Sequence, residues 1–491
     1  MFYKKSIEQL LFEAGQTGEG TLKRTLSSFN LVSLGIGAII GAGLFSLTGI
    51  AAAENAGPAV TISFALAAFA CAFAGLCYAE FASMIPVAGS AYTYSYATMG
   101  EFMAWIIGWD LVLEYALGAA TVAVSWSRYL LEILHKYNIN LPHSLIVSPW
   151  ETMELGDGTV IDGGMINLPA IFIVMLLSLV LIRGTKESAT MNNILVILKV
   201  AVVLVFITLG WSHINPDNYV PYIPENTGKF ENFGWTGIST GAAVVFFAFI
   251  GFDAVSTAAQ EAKNPQKGMP IGILGSLVVC TILYVLFAHV MTGLVNYKEF
   301  ANDAKPAATA FAVTGYAFLQ DALILAILAG YTSVILVMLM GQSRVFYTMA
   351  KDGLLPKFFS NIHPKFSTPW KTNLFFMVFV SLFAGFVPVS DLGHMVSIGT
   401  LFAFVLVCIG IMVLRKSLPD AIRPFRTPFV PAVPIIGILV CVYLMYSLPT
   451  ESWYRLAIWM AIGIAIYFSY GRKHSKVREL RDGKIITKDR E

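Results

Sequence analysis

Long apolar runs recur along the whole chain, separated by short polar segments. Each run is about as long as the helix of roughly 17 to 25 residues that crosses ~30 Å of hydrocarbon. Twelve runs, called spans 1 to 12 below, are predicted at 29–54, 58–84, 100–131, 168–184, 188–211, 237–260, 269–293, 318–349, 373–388, 391–414, 431–448 and 452–470. The pattern therefore predicts an all-α polytopic membrane protein with 12 transmembrane helices.

The composition agrees with many spans rather than one anchor. Of the 491 residues, 57% are hydrophobic and 13% are charged, whereas about 25% of the residues of a soluble domain are charged. The net charge of +2 provides no basic surface for nucleic acid, so we expect no nucleic-acid partner. The five cysteines all lie within apolar runs and are predicted to be buried hydrophobes. Residues 1–26 lack the features of a cleaved signal peptide.

Lys and Arg distribute unequally between the two sides of the predicted membrane. Of the 32 basic residues, 25 fall on the side that holds both termini, six fall on the opposite side, and Lys199 lies within span 5. Cytoplasmic loops carry the excess of Lys and Arg. Both termini are therefore predicted to be cytoplasmic, with the cell membrane as the location.

Span 1 contains four glycines within nine residues, Gly35, Gly37, Gly41 and Gly43. Each glycine weakens a helix interior by ~1 kcal/mol relative to alanine, so the spacing predicts an unwound segment at membrane depth. The pattern fails the dinucleotide-binding G-x-G-x-x-G by one residue, and no strand precedes it. Gly37 and Gly41 also form a G-x-x-x-G, which favours close packing between helices, and this alternative stays open.

Span 6 contains an aromatic run, Phe246 to Phe252, followed by Asp253. A carboxylate at membrane depth is functional or paired, although Asp253 as the cap of a second half-helix is an alternative that also requires a break. Breaks in the first and sixth of twelve spans are what a five-plus-five inverted repeat produces, with two extra C-terminal helices outside it. The predicted boundaries are 1–27 (N-terminal tail), 28–226 (first repeat), 227–416 (second repeat), 417–472 (spans 11 and 12) and 473–491 (C-terminal tail).

The ends of the half-helices suggest a ligand. Free N–H groups at Gly41, Ala42 and Gly43 would favour a carboxylate. Carbonyl groups freed before each break would favour an ammonium, and they belong to Ile39, Phe247, Ala248 and Ile250. Together these groups are complementary to the backbone of a zwitterionic amino acid.

Lys199 lies near the middle of span 5, farther from either end than its side chain can extend. Its helical neighbours provide no acid, so its partner must come from another helix. An apolar setting disfavours the charged form of a lysine, which suggests a proton-exchanging group. A permanently charged lysine bound to backbone carbonyls is the structural alternative. No catalytic or metal-binding motif is present, so we expect no enzyme activity, no cofactor and no metal.

Several motifs in order resemble the amino acid-polyamine-organocation superfamily, and within it bacterial members of the cationic amino acid transporter family. The matching segments are 35–43, 77–92, 108–115, 247–253, 261–266 and 349–356, within a resemblance that extends from about 26 to 473. The resemblance implies the broken-helix inverted repeat and a substrate held between spans 1 and 6. It also implies that Lys199 reaches the unwound part of span 1 and couples transport to protons.

The resemblance assigns four further positions. Met338 on span 8 is expected to face and narrow the side-chain pocket. Thr332 and Ser333 match the segment with which sodium-coupled relatives bind their ion, which leaves a sodium-site remnant possible. Ala42 stands where the family motif often has Ser or Thr, so the backbone alone is left to bind a substrate carboxylate.

The sequence thus predicts a secondary active transporter that imports amino acids by alternating access in symport with H⁺. A sodium-coupled or exchange-type transporter on the same fold, one that prefers cationic amino acids, and a polytopic membrane enzyme or non-transporting sensor are the alternatives. Acids at membrane depth are few, namely Glu80, Asp110, Glu114 and Asp253, with Asp391 near a helix end. Glu114 and Asp253 are interpreted as part of the side-chain pocket or as structural. The apolar character of the remaining segments favours small to medium neutral amino acids such as alanine over arginine.

Overall fold

The computed structural model describes residues 3–5, 26–87, 89–154, 160–183, 189–259, 262–303, 305–366 and 368–481. Most of the predicted N-terminal tail, Glu261 of the 261–266 motif and residues 482–491 lie outside the described residues. The α-helices are Ser28–Ile39, Thr48–Ala51, Val60–Met84, Ser90–Thr98, Glu101–Val112, Gly118–Lys136, Leu168–Arg183, Ala189–Trp211, Gly234–Val245, Ala254–Thr257, Pro265–Leu294, Pro306–Ala312, Ala317–Lys351, Trp370–Phe386, Val389–Ser417, Ala432–Tyr446, Thr450–Ile466, Arg472–His474 and Lys476–Arg481.

Shorter elements connect or interrupt these helices. π-Helical turns occur at Gly43–Leu47, Ala52–Ala56, Leu113–Leu117 and Tyr467–Gly471. 3₁₀ turns occur at Gly57–Ala59, His143–Leu145, Pro216–Tyr219, Phe246–Phe249, Tyr297–Phe300 and Lys357–Ser360. Thr152–Glu154 and Val160–Asp162 form a two-stranded antiparallel hairpin. The protein is therefore all-helical apart from one small hairpin in the described part of the chain.

The helices coincide in position with the predicted spans. Seven helical stretches among the described residues are long and apolar enough to cross a bilayer, and they contain spans 2, 3, 5, 6, 7, 8 and 10. Spans 4 and 9 coincide with shorter apolar helices, and the helices of spans 11 and 12 meet at an angle of 112°. The all-helical polytopic fold is confirmed, and the count of twelve crossings stays a prediction.

The second part of span 1 and the whole of span 2 lie in one helical stretch of 42 residues, Gly43–Met84. At 1.5 Å per residue such a stretch is about twice as long as one crossing requires. Gly57 divides it, because its φ of +61° is a left-handed conformation that ends a helix. The chain turns there, between the two predicted spans.

Both ends of the described chain meet on one face of the molecule. The Lys5 ammonium forms a buried ion pair with Asp352 at 2.8 Å, just beyond the end of span 8. Arg478 donates to Glu101 at 2.9 Å, at the start of span 3. The two ends of the described part of the chain therefore lie on the same side.

The opposite face carries the hairpin, which the sequence analysis did not anticipate. Its small core comprises Leu131, Ile146, Val147, Met153 and Ile161. The buried Arg128 guanidinium pairs with Glu151, which also accepts the backbone N–H of Val389 at 3.4 Å. The hairpin segment thus joins the end of span 3 to the start of span 10.

Candidate substrate site

Span 1 is broken where its glycines are concentrated. The helix Ser28–Ile39 ends before Ile40, whose backbone is extended (φ −70°, ψ 107°), and the chain becomes helical again as the π turn Gly43–Leu47. The N–H groups of Leu44 and Phe45 donate back to the Gly41 carbonyl at 3.2 and 3.3 Å. The first N–H groups of a helix have no partner within it, so those of Ala42 and Gly43 are the ones available to an anion.

Span 6 is broken at the predicted position. The helix Gly234–Val245 tightens into the 3₁₀ turn Phe246–Phe249, and Ile250 is extended. Gly251 then adopts a φ of +111°, a conformation that L side chains rarely adopt. The chain becomes helical again only at Ala254–Thr257.

The two breaks are in direct backbone contact. A Cβ atom at Gly43 would stand 2.2 Å from the Cα of Ala248, and one at Gly251 would stand 3.0 Å from the carbonyl oxygen of Ala38. Nonbonded carbon atoms prefer separations of about 3.5–4.0 Å. Glycine at these positions therefore allows spans 1 and 6 to approach each other more closely than any side chain would.

One tyrosine on span 7 joins both breaks. The Tyr284 hydroxyl lies 2.9 Å from the carbonyl oxygen of Ile39 and 2.9 Å from that of Ala248, and it donates to both. These are two of the carbonyl groups predicted to face an ammonium, and the structure brings them within reach of a single donor. Sequence reasoning missed Tyr284, because a lone hydroxyl in an apolar run gives no indication of its partners.

Lys199 reaches span 1 just before the break. Its ammonium donates to the carbonyl oxygen of Gly37 at 2.7 Å, and the side chain is buried. In a continuous helix this carbonyl would accept the N–H four residues later, but the last bond of the helix is Ile40 N–H to Ile36. The break frees the Gly37 carbonyl. The stem of Lys199 packs on span 8, where a Cβ atom at Gly330 would stand 3.2 Å from Cε.

The hydroxyl groups of the suggested sodium-site remnant have partners in the protein. The Thr332 hydroxyl donates to the Leu328 carbonyl at 2.8 Å and accepts from the Trp126 indole at 3.1 Å. The Ser333 hydroxyl donates to the Gly330 carbonyl at 3.0 Å. Thr332 is therefore directed at span 3, away from the lysine.

Met338 lies between spans 8 and 3. A Cβ atom at Gly118 would stand 2.9 Å from the Met338 sulfur, so the side chain covers this glycine. Glu114 lies one helical turn before Gly118 on span 3, and Asp110 lies two turns before it. Glu114 belongs to the π turn Leu113–Leu117, a distortion that occurs frequently at functional sites.

The five acids predicted within or near the ends of the spans fall into two groups. Glu80 accepts hydrogen bonds from Arg415 at 2.8 Å and Arg423 at 3.2 Å, and Asp391 pairs with Arg455 at 3.0 Å. These two are structural ion pairs.

The other three acids take part in no ion pair between described residues. They are Asp110, Glu114 and Asp253, and all are buried. One oxygen of Asp253 accepts the Tyr115 hydroxyl at 2.5 Å and the Ser90 hydroxyl at 3.1 Å. Within the described ranges, no group of three or more His, Cys, Asp or Glu side chains has the arrangement of a metal site.

Comparison with known proteins identifies the family. The model of the amino acid permease family matches residues 26–467, which is nearly the whole chain. The chain belongs to this family. The membership confirms the resemblance to the amino acid-polyamine-organocation superfamily predicted from the motifs.

Named relatives of this permease cover almost its full length. The branched-chain amino acid permease BcaP of Bacillus subtilis is 46% identical, over 98% of this chain and 99% of its own. The methylthioribose transporter of the same organism is 43% identical, over 97% and 98%. Cationic amino acid transporter 4 of Arabidopsis thaliana, a vacuolar protein, is 38% identical, over 82% of this chain and 65% of its own. All three are named as transporters or permeases, in agreement with the predicted transporter rather than an enzyme.

Proposed function

We propose that this permease imports small to medium neutral L-amino acids across the cell membrane in symport with H⁺, by alternating access. The observation that carries the proposal is the junction of the two breaks, in which span 1 and span 6 touch at Gly43 and Ala248. Beside this junction lies a buried lysine bound to Gly37. Irregular backbone at membrane depth is tolerated where it lines a site rather than lipid.

The backbone of the substrate is recognised by the backbone of the protein. The N–H groups of Ala42 and Gly43, at the start of a helical segment, form the positive pole for a carboxylate. The carbonyl oxygens of Ile39 and Ala248 share the single hydroxyl proton of Tyr284, and each carbonyl oxygen has a second lone pair for an ammonium, which provides three donors. Phe247, whose carbonyl already accepts the Ile250 N–H at 3.2 Å, and Ile250 complete the predicted set on span 6.

Lys199 is the proposed proton carrier. Its ammonium uses a carbonyl that exists as a free acceptor only because span 1 is broken. Loss of its proton would remove that charge-assisted bond and release span 1 from span 5. The Thr332 hydroxyl is engaged by Trp126 and Leu328, and a sodium ion would compete with the lysine for the same region. Both points favour the proton over the sodium-coupled alternative.

The side-chain pocket is proposed to accept apolar groups. Val334 lies against Gly41, and Met338 lies against Gly118, so the span 8 wall near the breaks is apolar. The name of the BcaP relative of Bacillus subtilis gives a second candidate, the branched-chain amino acids, which are also neutral. A buried cationic side chain without a paired acid costs several kcal/mol, so arginine is disfavoured beside this wall.

Competition for uptake tests the substrate class. Purified protein in liposomes is given labelled L-alanine under an inward pH gradient with Na⁺ absent, and unlabelled alanine, leucine and arginine are compared at equal concentration. We expect uptake to require the pH gradient, and alanine to compete more strongly than arginine. Strong competition by leucine would assign the branched-chain preference within the neutral class. Uptake driven only by a Na⁺ gradient, or arginine competing more strongly than alanine, would contradict the proposal.

The architecture is proposed on the same basis. Residues 28–226 and 227–416 form the two inverted repeats, spans 11 and 12 lie outside them in 417–472, and the tails 1–27 and 473–491 are cytoplasmic. The meeting of Lys5, Asp352 and Arg478 at one face supports a common side for both tails.

A further inference from the structure

Three buried carboxyl groups lie together beside the breaks and are not used by the lysine mechanism. This acid cluster consists of Asp110 and Glu114 on span 3 and Asp253 on span 6. Each of the three residues is at most 1% exposed. None of the ion pairs between described residues includes them, whereas Glu80, near the end of span 2, pairs with two arginines.

The hydrogen bonds of the acid cluster are incomplete. Asp253 accepts two hydroxyl groups on one oxygen, and its other oxygen accepts no hydrogen bond of ordinary length from a described residue. The same holds for both oxygens of Glu114 and both of Asp110. Five buried carboxyl oxygens thus lack a donor. An unpaired carboxylate in such surroundings is far costlier than a neutral carboxylic acid.

Glu114 and Asp253 are neighbours in the structure. The Tyr115 hydroxyl, from the residue after Glu114, donates to Asp253 at 2.5 Å, and the two carboxyl groups interact with each other, with Asp110 in electrostatic range of Glu114. One oxygen of Asp110 is directed at Gly399 on span 10, where a Cβ atom would stand 3.3 Å from it. Like charges so close together cannot all ionise.

A second observation is a hydroxyl group directed at the acid cluster. The hydroxyl group of Thr400, fully buried on span 10, lies beside Glu114 and makes no hydrogen bond of ordinary length to a described residue. Buried polar groups are normally hydrogen-bonded, so the Thr400 hydroxyl and the carboxyl oxygens form a polar group of atoms between spans 3, 6 and 10 that is not satisfied by the described residues.

We infer that Glu114 and Asp253 form a carboxyl pair that binds and shares one exchangeable proton, with Asp110 as a second neutral acid. Asp253 carries the negative charge, stabilised by the hydroxyls of Tyr115 and Ser90 on one oxygen. Glu114 donates its proton to the other oxygen. Transfer of the proton along this bond leaves the pair with one negative charge, so charge and atoms balance. This deepens the proposed function and rests on it, because it adds a proton site that is separate from Lys199.

Among the described residues, the titratable groups that face the pair are phenols, one thiol and one further acid. From span 2 come Tyr78 and Cys71, from the helix Ser90–Thr98 comes Tyr94, and from span 3 come Tyr115 and Asp110. Phenols and thiols are neutral at physiological pH. None of these neighbours therefore supplies a positive charge that would hold the pair in its ionised form.

Infrared spectroscopy of the purified full-length protein tests the inference without transport. A protonated carboxyl group gives a carbonyl band separate from those of carboxylates and amides. We expect the unmodified protein at neutral pH to show such bands, and we expect them to shift after exchange into D₂O. Glu114→Gln should remove one band and Asp110→Asn another. Asp391→Asn, at the surface ion pair with Arg455, should leave the acid bands unchanged and provides the matched control.

Several outcomes would overturn the inference. A wild-type spectrum without acid bands means that the carboxyl groups are ionised, and this result requires no variant to fold. If the acid bands do not shift in D₂O, the carboxyl proton does not exchange with solvent. If the acid bands disappear when NaCl replaces choline chloride, the carboxyl groups bind a cation instead of a proton. If the acid bands disappear when L-arginine is added, the carboxyl groups form a subsite for a cationic side chain. If the acid bands are present but uptake does not depend on pH, the proposed H⁺ coupling is contradicted and the inference about the carboxyl pair is not.

Discussion

Gly43→Ala is expected to disrupt the junction between spans 1 and 6 specifically. The new methyl group would stand 2.2 Å from the Ala248 Cα, whereas nonbonded carbons require about 3.5 Å or more. The two backbones would have to separate by more than about 1 Å. The obstructing atom belongs to the main chain, so no rotation of a side chain can relieve the contact.

The cost follows from the packing. Overpacking of a well-packed interior destabilises by about 1–3 kcal/mol. The same displacement moves the N–H groups and carbonyls that are proposed to hold the substrate. If the whole cost appears in binding, affinity falls by about 5- to 150-fold, since each 1.4 kcal/mol is a factor of about ten.

Gly41→Ala provides the matched control within the same break. Its Cβ atom would meet only the Val334 side chain, with the nearest atom at 3.3 Å, and a methyl group of valine can yield by a few tenths of an ångström. Both variants make the same chemical change two residues apart. We therefore expect Gly41→Ala to retain most of the stability and substrate affinity that Gly43→Ala loses.

Thermal unfolding of the purified variants, with and without increasing L-alanine, measures both quantities. Gly43→Ala should unfold at a lower temperature and require more alanine for the same stabilisation. The reasoning is refuted if Gly43→Ala and Gly41→Ala behave alike, because the close backbone approach would then have no energetic consequence.

Three further predictions concern the lysine, the tyrosine and the topology. Lys199→Met should stay folded, because the methionine keeps most of the apolar stem beside Gly330, but its uptake of substrate should no longer depend on external pH. If low external pH still accelerates uptake as in the wild type, the role of Lys199 is structural. Tyr284→Phe should lower the free energy of unfolding by about 1–3 kcal/mol, since it leaves two buried carbonyls without their donor, and thermal unfolding equal to wild type would contradict this. Lys357→Cys should react with an impermeant thiol reagent only from the cytoplasm, and Val160→Cys should react only from outside. The background reaction should be low because all five native cysteines are buried. The reverse labelling pattern would show that the predicted orientation is wrong.

The sequence by itself determined the elements of this permease. Apolar runs of membrane length can only be helices in a bilayer, because each backbone polar group must be satisfied within its own segment. Four glycines in span 1 and the aromatic run before Asp253 were enough to place both breaks, because local helix propensity depends on neighbours in the chain. Lys199 was predictable as a buried charge for the same local reason.

Only the tertiary structure decided which of these groups meet. Gly41 and Gly43 belong to the same glycine-rich motif, and nothing in the sequence distinguishes them. They differ in the structure because the backbone of span 6 contacts Gly43 but not Gly41. Tyr284 has no local signal, since its partners Ile39 and Ala248 lie 245 and 36 residues away. The grouping of Glu114 with Asp253, while Glu80 has two arginines, follows from how spans 2, 3, 6 and 10 pack. Contacts between distant segments depend on the arrangement of whole helices, and no short pattern in the chain contains that information.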